Sequence, residues 1–107
     1  MANFLLLYSG GSMPATEVEQ KAVMVEWEAW FTKLGSAVVD GGNPITPNGK
    51  TIDKNGKVSD IAGGPVPSGY SILKANSLDE AVGLAKGCPV LKGGAEVMVF
   101  ETFNAMG

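Results

Sequence analysis

The sequence predicts an α+β fold: an antiparallel sheet with two helices on one face and an added hairpin. Three observations support this class. Two strand–helix–strand patterns follow each other along the chain, a strong hairpin turn lies between them, and the first and last strands are apolar on both sides. The 107 residues (1–107) form a single domain, because two halves of this chain would each be too small to hold a core.

The first βαβ unit begins with an apolar strand and continues into a long helix. Phe4–Tyr8 is apolar without alternation, which is typical of a strand buried on both faces. Two signals place the helix start about a turn apart: Pro14 suits a first helical position, and Thr16 opens a possible capping box. Gly35 is a natural stop. The apolar residues of this helix recur at steps of three and four, namely Val23, Trp27, Trp30 and Leu34, with Met24 and Phe31 beside them.

The middle of the chain contains a short strand and a hairpin. Ala37–Val39 begins the second strand, and a glycine-rich turn ends it. Thr51–Lys54 and Lys57–Asp60 then flank Asn55-Gly56, the strongest short hairpin signal, since both turn residues tolerate positive φ. Gly63–Pro67 is predicted to be an irregular loop.

The second βαβ unit repeats the order of the first. Tyr70–Ala75 is predicted to be a strand, and Ser77 opens a capping box with Glu80 at the start of the second helix. Gly87 ends this helix, and Ala95–Phe103 is the last strand.

The last strand predicts that the protein pairs with a second copy. Val97, Val99 and Phe103 lie on one side of it, and Met98 and Phe100 lie on the other. A sheet with one wet face would alternate apolar with polar residues instead. This chain has no spare helix to cover a second apolar face, so the same face of another copy is the simplest cover and gives a two-fold homodimer. Which face of the strand points outward is left open by the sequence.

Composition excludes several classes of function. The chain has no histidine and no arginine, which excludes histidine-based catalysis and guanidinium recognition of phosphate. Its net charge is −3 and its lysines are dispersed, so we expect no nucleic-acid partner. We likewise expect no metal, no cofactor and no membrane association. A single cysteine, Cys88, cannot form an internal disulfide, which favours a cytoplasmic location.

Several motifs together resemble the YCII-related family, whose members are also called YciI-like or DGPF-domain proteins. The resemblance covers essentially the whole chain. Its motifs are Tyr8-x-Gly10-Gly11-Ser12-Met13-Pro14, Trp27-Glu28-Ala29-Trp30-Phe31-x-x-Leu34-Gly35, Val39-Asp40-Gly41-Gly42-Asn43-Pro44, Gly69-Tyr70-Ser71-Ile72 and Ala75-x-Ser77-Leu78-Asp79-Glu80-Ala81.

The resemblance implies a ferredoxin-like βαβ-βαβ sandwich that dimerises through its sheets into a dimeric α+β barrel. It does not carry over the His–Asp pair suspected of acid–base work in the founding branch, since Met24 and Lys33 stand near those positions. The DGPF signature is also broken, because three residues follow Asp60 before Gly64-Pro65, and Val66 replaces the phenylalanine.

The residues predict a pocket between the first helix and the sheet. The loops of Ser9–Met13 and Gly41–Pro44 flank this helix, the loop after Asp60 can fold over as a lid, and a tryptophan would form the wall. Aspartates there would orient a polar ligand or accept a proton. The candidate ligand-binding residues are Tyr8, Ser9, Trp27, Trp30, Asp40, Asn43, Asp60 and Tyr70.

Each candidate also has a plain structural interpretation. The tryptophans suit a core, the aspartates suit turns, and Cys88 suits a buried structural thiol. Gly10-Gly11 suits a turn; the alternative is that N–H groups at the start of the following helix hold an anion such as phosphate, and the loop can also line a pocket mouth. Two functions therefore remain: binding of a small organic ligand, with or without cofactor-free acid–base chemistry, or a non-catalytic protein-interaction or regulatory module.

Overall fold

A computed structural model describes residues 1–11, 14–61 and 66–106 of the chain. Two short 3₁₀ turns, Gly35–Ala37 and Pro89–Gly93, complete the regular structure of this part. Its helices and strands, in chain order, are β1 (Ala2–Gly10), α1 (Glu17–Leu34), β2 (Val38–Asp40), β3 (Lys50–Ile52), β4 (Val58–Asp60), β5 (Pro67–Ala75), α2 (Leu78–Ala85) and β6 (Ala95–Glu101).

The main sheet has four strands in the order β2-β5-β1-β6, and all neighbours in it are antiparallel. Strands β3 and β4 form a separate two-stranded sheet, which is the predicted hairpin. The two central strands, β1 and β5, are not consecutive in the chain, because each βαβ unit crosses over the sheet through its helix. This is the ferredoxin-like arrangement that the element order predicts.

Strands β5 and β6 do not have the limits that their apolar runs predict. β5 begins at Pro67, so this residue belongs to the strand and not to the predicted irregular loop, most of which lies outside the described residues. β6 ends at Glu101, two residues before the predicted end. Beyond Glu101, Thr102 still contacts β1, since its backbone N–H and its hydroxyl both donate to the carbonyl of Asn3. Phe103, the next residue, is 86% exposed.

Side-chain caps set the helix starts. The Thr16 hydroxyl accepts from the Glu19 N–H at 3.1 Å, so α1 begins with the capping box and not at Pro14. In α2 the Ser77 hydroxyl accepts from the Glu80 N–H at the same distance. Gly35, with φ of 57°, ends α1 as predicted.

The hairpin turn differs from the predicted one. Only Gly56 has a positive φ, 82°, and Asn55 does not. The Gly56 N–H donates to the Asp53 carbonyl, and the Asp53 N–H donates to the Lys57 carbonyl, so the loop has three residues and ends in a glycine bulge. The Asp53 carboxylate also accepts from the N–H groups of Asn55 and Lys57, which favours this three-residue turn.

Residues 45–61 form an arm that extends from the body of the molecule. Every residue of the arm is exposed, and neither of its strands packs extensively against another element. Its exposed apolar side chains include Ile52 and Val58, which pair across the hairpin and are 69% and 58% exposed. Beyond its root, where the Ile45 N–H donates to the Ser68 carbonyl, the arm is therefore held in place mainly by its covalent connections to β2 and β5.

The core lies between the two helices and one face of the sheet. Phe4, Leu6 and Leu73 are fully buried on that face, and Ala81 and Trp30 cover them from α2 and α1. Complete burial of such apolar side chains contributes roughly 1.5–3 kcal/mol each. Val97 and Val99 pack against the same cluster, so they are the inward residues of β6.

The opposite face of the sheet, here called the open face, is apolar, and no helix or strand among the described residues covers it. The Cα atoms span only 18 Å along the shortest axis, which leaves room for one helix layer and one sheet. Met98 and Phe100 lie on the open face and are 37% and 48% exposed, so the structure settles which side of β6 points outward. The apolar residues of the open face are Leu5, Leu7, Val39, Tyr70, Ile72, Met98 and Phe100.

Neither described helix combines the length and apolar character that crossing a membrane requires.

Candidate functional site

Aromatic side chains fill the space between α1 and the sheet. The Trp27 ring stands edge-on to those of Tyr8 and Trp30, with centroids 5.6 and 5.7 Å away. Phe31 packs against both indoles, at 5.6 Å from Trp27 and 5.3 Å from Trp30. Such pairs stabilise a core beyond the area that they bury. The structure thus brings Tyr8, Trp27 and Trp30 together as predicted, but as a packed layer.

Tyr8 begins a short chain of buried hydrogen bonds. Its phenol donates to the Ser71 hydroxyl at 2.7 Å, and Ser71 in turn donates to the Gly41 carbonyl at 2.8 Å. Burial raises the pKa of the Tyr8 phenol well above its ordinary value of 10.0. The phenol is therefore a protonated donor at neutral pH, and it joins β1, β5 and the turn after β2.

Trp30 links the two helices. Its indole N–H donates to the Leu84 carbonyl at 3.3 Å, near the end of α2 where backbone acceptors have no helical partner. Gly87 lies directly beneath this ring, and a Cβ atom there would come within 3.2 Å of the indole nitrogen. Trp30 is 6% exposed, so its polar atom serves the fold and is not presented to a ligand.

Asp40 is the last residue of β2, and Asn43 lies in the turn that follows it. The Asp40 carboxylate accepts from the Gly42 N–H at 2.8 Å, an Asx turn of the kind that the structural interpretation predicts. The Asn43 carbonyl accepts from the Tyr70 N–H at 3.3 Å, so it is the backbone of this asparagine that contacts β5. Both side chains are exposed.

The remaining three candidates lie apart from the aromatic layer. Asp60 is on the arm, where its carboxylate pairs with Lys50 and is 84% exposed. Tyr70 is on the open face, opposite Leu7. Ser9 is buried at a β-bulge near the end of β1. The structure therefore does not bring Asp40 and Asp60 together into one arrangement with the tryptophans.

Two cavities lie at the root of the arm. The larger, of about 460 Å³, is an open surface between Asp60 and the segment Pro47–Lys50, all of whose residues are exposed. The smaller, of about 270 Å³, is also shallow and open to solvent, and is here called the sheet-end cleft, because it lies where β1 ends and β5 begins. It is lined by Gly10, Gly11, Ile45, Thr46, Pro47, Val66, Pro67 and Ser68.

The sheet-end cleft has apolar walls and two hydroxyl groups. Ile45, Val66 and the two prolines supply the apolar surface, and Thr46 and Ser68 supply the hydroxyls. Gly10 and Gly11 have φ of 72° and 78°, a backbone conformation that glycine adopts at little cost and that leaves the chain bare of side chains. None of the lining residues carries an ionisable side chain.

Sequence reasoning identified part of this geometry and missed part of it. It named the Gly10-Gly11 loop as an alternative pocket mouth, and these residues do line the cleft. It missed Ser71, although a serine at a buried position of an apolar strand is a signal of a specific hydrogen bond. It also missed Ile45–Pro47, because no motif marks an exposed loop that returns to pair with β5, as the Ile45 N–H does with the Ser68 carbonyl.

Cys88 is 2% exposed, next to the core. Burial raises the pKa of its thiol above the ordinary value of 9.0, which disfavours the reactive thiolate. The residues that the structure describes hold no group of three or more potential metal ligands.

No protein-family model matches the chain, and no curated protein does. Among solved structures, the chain is similar to the 5-chloro-2-hydroxyhydroquinone dehydrochlorinase of Burkholderia phenoliruptrix AC1100, in complex with 2,5-dihydroxybenzoquinone. The match covers 94% of this chain and 93% of that chain at 18% identity, with a TM-score of 0.54. A likeness at this identity shows the fold alone, and the predicted ferredoxin-like α+β fold is thereby confirmed.

Proposed function

We propose that the protein is a homodimer that binds a small, neutral one-ring molecule in the sheet-end cleft. The observation that carries the proposal is the lining of this cleft: apolar walls, two hydroxyls at Thr46 and Ser68, and a bare glycine backbone. Ligand sites typically combine apolar walls with a few polar groups. The volume of about 270 Å³ is slightly below the usual range for ligand pockets, which suits a single ring.

The structural neighbour supports the class of ligand. That protein has the same fold over nearly its whole length and was solved with a one-ring quinone. The hydroxyls of Thr46 and Ser68 would form hydrogen bonds with a hydroxylated ring of similar size, as donors or as acceptors. Since no cationic side chain lines the cleft, a neutral phenol suits it better than an anion.

The geometry favours binding over acid–base catalysis. Asp40 is held by its turn, and Asp60 is paired with Lys50 on the arm. Neither carboxylate lines the sheet-end cleft, which has no other acid or base among its described residues. A general base must lie within hydrogen-bond reach of the proton that it takes, and neither aspartate meets that condition for a molecule in the cleft.

Nuclear magnetic resonance with hydroquinone as the probe tests the site, because its phenols are neutral at pH 7 as those of tyrosine are. We expect shifts of the amide signals of Gly10, Gly11 and Ser68. Val66→Trp should fill the cleft and abolish them. Val58→Trp is the matched control, because both valines are 58% exposed and Val58 lies on the arm. Shifts that persist in Val66→Trp, or that never occur with the parent, would contradict the proposal.

The homodimer is supported by the open face. Leu5, Leu7 and Ile72 lie side by side on the two central strands, and Met98 and Phe100 continue the apolar surface onto β6. A continuous apolar surface of this kind marks an interaction site, and a two-fold axis lets one such face cover its own copy.

Sedimentation equilibrium tests the homodimer. We expect a dimer at micromolar concentration, and Phe100→Asp should yield monomers by placing a charge within the interface. Phe103→Asp is the same substitution three residues later, beyond the end of the strand, and should leave the dimer intact. A parent protein that is only monomeric at that concentration would refute the proposal.

A second candidate function, a protein-interaction module, is favoured by the arm. Its apolar pair, Ile52 and Val58, contacts no core of its own chain, and an isolated hairpin is only marginally stable in water. A partner that covers this pair would stabilise the arm. If Ile52→Asp abolished binding of such a partner while hydroquinone still bound, the protein-interaction function would be separate from the first function.

We further propose that the chain is a distant YCII-related protein of the cytoplasm. The motifs named above and the ferredoxin-like fold support the relationship. The single buried thiol, which needs no oxidising compartment, supports the location.

A further inference from the structure

Helix α1 is apolar on two opposite faces. One face packs on the sheet through Trp27, Trp30 and their neighbours. Along the other face run Val18, Ala22, Val25 and Ala29, all of them exposed, and the two valines are 79% and 63% exposed. At about 100° per residue these four side chains lie opposite the tryptophans, so no element of the described chain can reach them from the core.

We propose that this outer face of α1 is a second interface between copies of the chain, formed by antiparallel pairing of two α1 helices. Successive apolar residues are four, three and four positions apart, which is the a/d spacing of a coiled coil. The interface lies on the helix layer, and the open face lies on the sheet. The two can therefore form independently.

The order of the four residues indicates what covers this outer face, namely the same helix of a second copy in antiparallel orientation. In an antiparallel pair, Val18 lies opposite Ala29 of the second copy, and Ala22 lies opposite Val25 of the second copy. Every layer then joins a larger side chain to a smaller one, and two-fold symmetry repeats the same layers. Parallel pairing would instead stack valine on valine and alanine on alanine, and would also align the helix dipoles unfavourably.

Charged side chains flank the outer face in a pattern that matches itself. Lys21 and Glu28 lie along one side of it, so each lysine can reach the glutamate of the second copy. On the other side, Glu19 lies opposite Glu26 of the second copy. Lys92 of the same chain binds the Glu26 carboxylate at 3.1 Å and so compensates its charge.

The interface is short, so its affinity is expected to be lower than that of the sheet interface. Val18 and Ala29 are separated by about 16 Å along the helix, roughly three turns. Crosslinking detects such an association without requiring that it be tight. The only native cysteine is buried and does not interfere.

The test mixes two single variants, Val18→Cys and Ala29→Cys, at submillimolar concentration under mild oxidation. Antiparallel pairing places these two residues in the same layer, while Val18 residues of the two copies are about 16 Å apart, too far for a disulfide. We expect the mixed disulfide, identified by its mass, well in excess of both symmetric disulfides. A random mixture of the three species, or a predominance of the symmetric Val18→Cys product, would overturn the proposal.

Two controls separate this interface from the others. Adding Phe100→Asp to both variants should leave the mixed disulfide in place, because the sheet face is not involved. Adding Val25→Glu should abolish the excess by placing a charge in a central layer. Val58→Glu, on the arm, should not abolish this excess. If Val58→Glu reduced the excess of the mixed disulfide as much as Val25→Glu does, the outer face of α1 would instead contact the arm of another copy.

Discussion

The hydrogen-bond chain from Tyr8 through Ser71 to Gly41 predicts that its two side chains contribute unequally to stability. In Tyr8→Phe, Ser71 keeps its bond to the Gly41 carbonyl and loses only a donor. We expect a loss of about 1 kcal/mol in the free energy of unfolding. In Ser71→Ala, the buried phenol loses its acceptor and the Gly41 carbonyl loses its donor, which raises the expected loss to roughly 2–3 kcal/mol.

Urea denaturation at a fixed protein concentration measures the difference. With a slope of about 2 kcal/mol per molar urea, Ser71→Ala should lower the midpoint by about 1 M or more, and Tyr8→Phe by about half of that. The double variant should be less destabilised than the sum of the two, because the phenol that Ser71→Ala leaves without an acceptor is then absent. Equal losses in the two single variants, or additive losses in the double variant, would refute the reasoning.

Two further predictions concern pH and the turn after β2. Burial raises the pKa of the Tyr8 and Cys88 side chains, so the folded state holds these protons at pH values where the unfolded chain releases them. These two groups should therefore lower the stability as the pH rises through about 9–11, and thermal melts should show a smaller fall in Tyr8→Phe; a rise of stability over that range would exclude this assignment. Gly42→Ala should lower the free energy of unfolding, measured by urea denaturation, by roughly 2–4 kcal/mol. The reason is that the new Cβ would lie 1.7 Å from the Tyr70 carbonyl oxygen at a φ of 75°. Gly94→Ala has a positive φ in the left-handed helical region but no neighbour within 4 Å and should cost only about 1 kcal/mol, so equal losses in the two variants would count against the steric argument.

Much of the fold could be predicted because its signals are local. The capping boxes at Thr16 and Ser77 place both helix starts, and the apolar run of β1 identifies a central strand. The limits of β5 and β6 could not be predicted, since they depend on pairing with β1 across the sheet. The hairpin was found, but its turn type depends on an aspartate side chain that a dipeptide rule does not include.

The candidate site was harder to predict, because a cavity is defined by what packing leaves empty. The aromatic residues of α1 were assigned to the right place, between helix and sheet, but sequence does not tell whether large side chains line a space or fill it. The two aspartates were expected to converge because both follow strands. The register places Asp40 at the end of β2, beside β5, and Asp60 on an arm that leaves the body of the molecule.

The arm has a consequence for how this sequence can change. Its residues, 45–61, contribute little to the core, so substitutions between Asn48 and Ile61 are constrained by the turn at Gly56 and by whatever molecules the arm touches. This part of the chain can diverge, lengthen or shorten while the four-stranded sheet stays the same. The tip at Lys54–Asn55 is accordingly the position at which a peptide or a fluorescent label can be inserted at the least cost to folding.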